Sequence, residues 1–212
     1  MNNLIILSGC SGAGKSTFWQ FLHRTPDAVQ RVQKSIPFFD LNAVYFMDAT
    51  KTLRKKLSKH SPIKFDKKAD FVVLHYDITH VYRIGTRDFA RDLALQYARR
   101  FDRVCFIHIN APPQQLQRQF QERALERINT GLKSDTIVSK LRHHLRKFVA
   151  LMQRRRFMTE EEIYSDPRLI DEINRHWLRF IKTDMSLYHQ ASILMVQPGP
   201  NMAFNITDNL ET

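Results

Sequence analysis

Residues 9–17 read Gly-Cys-Ser-Gly-Ala-Gly-Lys-Ser-Thr, which sets a lysine and a hydroxyl directly behind three glycines. The whole sequence has only six glycines, so half of them fall where the backbone must come closest to something. The spacing is G-x-x-x-x-G-K-[S/T], and its chemistry is that of an anion cradle. Glycines let successive N–H groups converge on phosphate oxygens without interference from Cβ atoms. A helix starting at the same point adds its positive dipole end and its unpaired N–H groups. Gly9, Cys10, Ser11, Gly12, Ala13 and Gly14 form the expected cradle, and Lys15 adds a full charge on the β- and γ-phosphates. Ser16 is placed to set its hydroxyl on Mg²⁺, while Thr17 begins to pack the helix against the sheet.

A cradle of this kind needs a strand before it and a helix after it. Leu4-Ile5-Ile6-Leu7 is an apolar strand, and residues from Thr17 to Arg24 have a helical pattern. Phe71 to Tyr76 forms a second apolar run that ends in Asp77, the position from which a carboxylate reaches Mg²⁺ or its water shell. Ser35-Ile36-Pro37-Phe38-Phe39 is expected as a short strand ending in Asp40. Thr86 is expected to cap a helix with Phe89, Leu93, Ala94, Tyr97 and Phe101 on one side. Arg103 to Asn110 supplies another strand, and a helix follows from Gln114 to Asn129, closed by Gly131. Ser134 is expected to start a second long helix. Thr159 and Glu162 have capping-box spacing, and Asp166-Pro167 gives a cap and first residue to a further helix. Ser192 to Val196 is the last strand. Strands alternating with helices predict a three-layer α/β fold with a five-stranded parallel sheet and ligands at the carboxyl ends of the strands. Residues 1–212 are expected to form one domain.

Between the fourth and fifth strands lie about eighty residues, far more than a crossover requires. From Gln114 to Arg156 there are eleven Lys or Arg and three Asp or Glu, after which Glu160 to Glu172 turns acidic. Residues 114–190 therefore read as a large, basic, helical insertion. Arg118, Arg123 and Arg127 step along one helix at intervals of five and four and are candidates for a phosphate-facing edge. The competing reading is a solvated face, with Glu122 pairing Arg118 at i+4 and Glu126 pairing Arg123 at i+3. Arg154-Arg155-Arg156 is either an anion-binding cluster or a solvated helix end. His75 and His108 lie inside apolar strands and read as core or cleft-edge residues, and His143 and His144 have no partners at metal-ligand spacing.

The loop resembles that of the P-loop NTPases, and GCSGAGKST is similar above all to their small kinases, which include nucleotide, shikimate, gluconate and polynucleotide kinases and zeta-type toxins. That resemblance implies a nucleoside triphosphate, ATP, with Mg²⁺ as cofactors. It also implies a mobile lid whose arginines close over the phosphates, corresponding to the basic insertion. Small hydroxyl kinases carry a carboxylate after their second strand that takes the proton of the attacking hydroxyl, a role the resemblance assigns to Asp40. Pro112-Pro113-Gln114-Gln115-Leu116 resembles the P-P-x-x-L element opening the corresponding helix of gluconate-type kinases. Their first arginine falls one residue later than Arg118.

Composition narrows the remaining choices. Lys and Arg number 33 against 21 Asp and Glu, a net charge of +12 with a pI near 10, so an anionic partner is expected. Nucleic acid is possible, although no RNA-binding aromatic signature accompanies the charge. No apolar run reaches the roughly 18 to 20 residues of a membrane span, which predicts a cytoplasmic protein with no membrane partner. Two cysteines, Cys10 and Cys105, are too few for a disulfide scaffold or a metal cage. A GTPase would need an Asp-x-x-Gly switch, which is missing, and Ile181-Lys182-Thr183-Asp184 lacks the leading Asn of a guanine-reading motif. ABC and AAA ATPases would show a signature loop or an Asp-Glu pair, whereas Asp77 is followed by Ile78. The expected function is a kinase transferring the γ-phosphoryl group of ATP to an anionic or hydroxyl-bearing acceptor. The alternatives are a nucleotide-dependent binding or regulatory ATPase that grips an anionic partner through the insertion and, more remotely, a sulfotransferase-like enzyme.

Overall fold

A computed structural model describes residues 3–36, 46–48, 71–129, 157–199 and 203–207. Their element order is β1 (Asn3–Gly9), α1 (Lys15–Arg24), α2 (Pro26–Ser35), β2 (Phe46–Asp48), β3 (Phe71–Asp77) and α3 (His80–Arg83). A 3₁₀ turn at Phe89–Arg91 leads to α4 (Leu93–Ala98), β4 (Arg103–Ile109), α5 (Pro113–Asn129), α6 (Glu160–Ser165), α7 (Pro167–Asp184), β5 (Gln190–Pro198) and β6 (Phe204–Thr207).

The strands form one sheet in the order β2-β3-β1-β4-β5-β6. Five strands pair in parallel, the expected number, four of them at the expected residues, and β6 extends the edge antiparallel to β5. Consecutive residues of a strand face opposite sides, yet Leu4 to Gly9 and Val104 to Ile109 are buried without a break. Both faces of the central strands are therefore covered, the three-layer arrangement of a parallel sheet.

On one face sits α7. Asp166 caps it by accepting from Arg168 N at 2.9 Å, Pro167 fills its first turn, and Ile170, Ile173, Trp177 and Ile181 form its buried stripe. Fully burying a side chain of this size contributes about 1.5–3 kcal/mol. Trp177 stacks on Tyr76 of β3 with centroids 5.2 Å apart and meets Phe106 of β4 edge-on at 6.1 Å. Trp177 Nε1 donates to Ser8 Oγ at 3.0 Å, and Ser8 Oγ lies 3.2 Å from Nδ1 of the buried His108, so the helix is pinned to β1 and β4 through polar atoms.

Two sequence expectations are corrected. Ser35 ends α2 and Ile36 is its C-cap, so no strand begins there. The overlooked signal is Pro26 at a helix start, with Ala28, Val29 and Val32 buried at helical spacing. Among the described residues the second strand is Phe46–Asp48, paired with Phe71 to Val73. Asp40 lies outside the described residues, six positions before this strand in sequence. The single helix expected after Thr86 is split, because Asp88 and Asp92 each accept backbone N–H bonds and start new turns. The helix expected from Ser134, the residues His143 and His144 and the Arg154 to Arg156 cluster lie outside the described residues.

Candidate functional site

Because β1 and β3 run parallel in register, Gly9 stands opposite Asp77 at the carboxyl edge of the sheet. The phosphate loop and the strand-end carboxylate thus meet through strand pairing alone. Gly9 has φ +148°, and a Cβ there would come within 2.7 Å of the Ile109 carbonyl oxygen on β4. Any side chain would push the loop off the sheet. Lys15 is the first residue of α1, and its Nζ donates to the Gly9 and Cys10 carbonyls at 2.7 Å each. Its charge is held over the loop. Ser16 is exposed beside it. Cys10 is buried, and burial reinforced by the charge of Asp77 pushes its thiol up to about 12. The loop cysteine therefore keeps its proton and is no nucleophile.

Asp77 is 8% exposed and fully oriented. Its Oδ1 accepts from Thr79 N at 3.0 Å and Thr79 Oγ1 at 2.8 Å, and its Oδ2 accepts from Arg83 Nη2 at 2.6 Å. Arg83 Nη1 in turn donates to Glu160 Oε1 at 2.5 Å. Glu160 opens α6, where Thr159 and Glu162 form the expected capping box. A carboxylate in the first turn is favoured there by the helix dipole. Tyr164, one helical turn further on, donates from its Oη to the Ser11 carbonyl at 3.0 Å.

The helix α5 approaches from the other side, and its expected arginines separate. A Cβ built on Gly12, which has φ +92°, would lie 3.2 Å from Gln119 Oε1 and 3.5 Å from Arg123 Nη1. Arg123 thus brings its guanidinium to the loop. Arg118 instead pairs with Glu122 at 2.8 Å with its side chain 81% exposed, the solvated-face arrangement. The backbone of Arg127 is helical, and its side chain lies outside the described residues. At position 119, where gluconate-type kinases carry their first arginine, this chain has glutamine, and its Oε1 is buried without a hydrogen-bond partner among the described residues. Beside α5 a cavity of about 450 Å³ is lined by Gln115, Arg118, Gln119, Glu122, Pro198 and Gly199.

Among the described residues, no cluster of three or more His, Cys, Asp or Glu could hold a metal. The oxygen donors at the loop are a serine hydroxyl and one carboxylate. That set fits Mg²⁺, which keeps several waters and takes much of its coordination from substrate phosphates. His108 is buried behind the loop, and burial, with the nearby Lys15 charge, lowers it to about 3. It is a neutral core residue. Lys182, Thr183 and Asp184 lie at the end of α7, away from any strand-end base-reading position.

Arg83, Thr79, Glu160, Tyr164 and Gln119 were missed from sequence. Thr79 carried a local signal, since Asp-x-Thr invites the carboxylate to accept from the following turn. The others are joined to the loop only by tertiary packing.

A glycine-lined loop between a buried parallel strand and a helix, with an acid on the adjacent strand end, defines a nucleotide-binding α/β domain of the P-loop class. The chain belongs to the AAA domain family, whose profile matches residues 4–151, a P-loop NTPase family that includes kinase-like members. The missing Asp-Glu pair, Asp77 being followed by Ile78, therefore does not place the chain outside a family described as an AAA domain. No curated protein and no solved structure gave a match to the chain. Among the described residues no helix is long and apolar enough to cross a membrane.

Proposed function

We propose that this protein is a kinase that transfers the γ-phosphoryl group of ATP to a hydroxyl-bearing acceptor. The observation that carries the reading is the meeting of three groups at one loop: Lys15 over the cradle, Asp77 opposite Gly9, and Arg123 beside Gly12. Phosphoryl transfer asks little covalent chemistry of a protein. It asks for positioning and for cationic donors where charge develops.

In this reading the loop amides and Lys15 hold the β- and γ-phosphates, and Arg123 stabilises the group in transit from the lid-like segment 114–190. Ser16 and Asp77 would hold Mg²⁺, which when bound neutralises phosphate charge. Thr79 and Arg83 hold the Asp77 carboxylate in one orientation. The cavity between α5 and the end of β5 suits the base, and Gln115 and Gln119 supply amides to its edge. The intact Gly-Lys-Ser loop favours this reading over a sulfotransferase-like one.

The test is transfer of label from [γ-³²P]ATP to a panel of sugars, polyols, nucleosides and nucleic-acid 5′ ends. A labelled acceptor that disappears in Lys15→Ala supports a kinase. Hydrolysis to phosphate with no acceptor labelled would favour a nucleotide-dependent binding protein.

A further inference from the structure

Tyr164 belongs to none of the groups assigned above, yet it touches three parts of the site. Its hydroxyl donates to the Ser11 carbonyl inside the phosphate loop at 3.0 Å. Its ring stacks on Phe120 of α5 with centroids 5.1 Å apart and planes 16° from parallel. Phe120 is flanked by Gln119, and Arg123 lies one turn on, the two residues that reach Gly12. Through α6, Tyr164 is also joined to Glu160 and hence to Arg83 and Asp77.

The bond to Ser11 has a geometric consequence. In a trans peptide the carbonyl and the following N–H point in opposite directions. Holding the Ser11 carbonyl toward Tyr164 therefore aims the Gly12 N–H the other way. Gly12, at φ +92°, sits in a turn closed by Ala13 N donating to the Cys10 carbonyl at 3.1 Å. The central peptide of such a turn, Ser11–Gly12, can flip without breaking that bond, so the tether from Tyr164 selects its orientation. An N–H supplies a cradle only when it is aimed before the anion arrives.

We propose that Tyr164 is a positioning residue of the phosphate loop: its hydroxyl fixes the Ser11–Gly12 peptide so that the Gly12 N–H serves the nucleotide phosphates, and its ring ties that peptide to the helix carrying Arg123. The role rests on the nucleotide-binding reading and extends it to a residue more than 150 positions from the loop. Burial raises the phenol well above its ordinary value, so the hydroxyl keeps its proton and remains a donor. Phe120 holds the ring in place, which makes the tether depend on how α5 sits. A lid movement that carries α5 toward or away from the loop would act on the Gly12 amide through this stack.

The experiment compares wild type with Tyr164→Phe, which keeps the ring and removes the hydroxyl. Calorimetry with MgATP and with magnesium tripolyphosphate reads affinity, and the amide resonance of Gly12 in the nucleotide-free protein reads the peptide. A neutral hydrogen bond of ordinary strength predicts roughly five-fold weaker binding of both probes. The Gly12 resonance moves, and the melting temperature stays close to that of wild type. Unchanged affinity overturns the proposal, as does weaker binding with an unmoved Gly12 resonance, because the tyrosine would then act only through general stability. Should Tyr164→Phe fail to fold, Phe120→Leu decides by the same readouts, with a smaller loss expected from a loosened ring. If wild type binds neither probe, the nucleotide reading itself fails and the role of Tyr164 with it. Binding by wild type with no change in either variant removes Tyr164 alone.

Discussion

Arg83 Nη2 donates to Asp77 Oδ2 at 2.6 Å while its Nη1 donates to Glu160 Oε1 at 2.5 Å, so one guanidinium joins the end of β3 to the start of α6. The Asp77 carboxylate is thereby held from the same direction as the helix that carries Tyr164. In Asp77→Asn the guanidinium keeps Glu160, and the fold should survive with a loss of about 1–3 kcal/mol from the weakened charged hydrogen bonds. Mg²⁺-dependent turnover should fall by roughly a hundredfold or more, with a much smaller change in nucleotide binding. Steady-state kinetics beside urea denaturation separates the two effects. Full turnover in Asp77→Asn would remove the residue from the mechanism.

Arg118 and Arg123 of α5 should behave differently. Arg123 reaches Gly12, and losing a donor aimed at developing charge lowers turnover by roughly a hundredfold. Arg118 is exposed and paired with Glu122, an arrangement that contributes about 0–1 kcal/mol, so Arg118→Ala should leave kcat within about twofold, any further change falling on the nucleotide KM through the cavity it lines. Kinetics of the two alanine variants checks the order. The reverse ranking would mean that α5 presents its other face to the phosphates.

His108 gives stability a pH dependence. Its folded value of about 3 lies below the ordinary 6.5, because burial, with the Lys15 charge, excludes the proton from the native state. Between those values the unfolded chain binds a proton that the folded chain does not. Stability contributed by the neutral ring is full above about pH 6.5 and falls as pH drops toward 3, by at most about 1.4 kcal/mol per pH unit from this one group. The neighbours favour one tautomer: if Nδ1–H donates to Ser8 Oγ, the Ser8 hydroxyl donates to the Ile107 carbonyl at 3.4 Å and no N–H is orphaned. His108→Gln should flatten the acid limb of stability measured by urea denaturation at stepped pH. An unchanged slope would assign the limb to other groups.

The loop, the strand before it and Asp77 were legible because each is local: a spacing of glycines, an apolar run, an acid at its end. The cap of α7 at Asp166-Pro167 and the capping box at Thr159 and Glu162 were legible for the same reason. The strand expected from Ser35 does not begin there because the helix started at Pro26 runs through Ser35, while Pro37 to Asp40 lie outside the described residues. The sixth strand, Phe204–Thr207, is only four residues long and takes its pairing from β5 rather than from its own pattern. Arg83 and Tyr164 could not be ranked from sequence, since what distinguishes them is arrival at the loop from other elements. Arg118 and Arg123 looked equivalent at helical spacing, and only the packing of α5 against the loop tells them apart.

Thermal denaturation of wild type and Lys15→Ala with and without MgATP is the most direct measurement. At a nucleotide concentration a hundred times the dissociation constant, binding to the native state adds about 2.7 kcal/mol. For a chain of this length that corresponds to a rise in melting temperature of roughly 5–10 °C. Wild type should show that rise, and Lys15→Ala, folded but without the charge over Gly9 and Cys10, should show little or none. A folded wild type that MgATP does not stabilise, or a Lys15→Ala variant stabilised equally, would contradict the assignment of this loop as a nucleotide phosphate site.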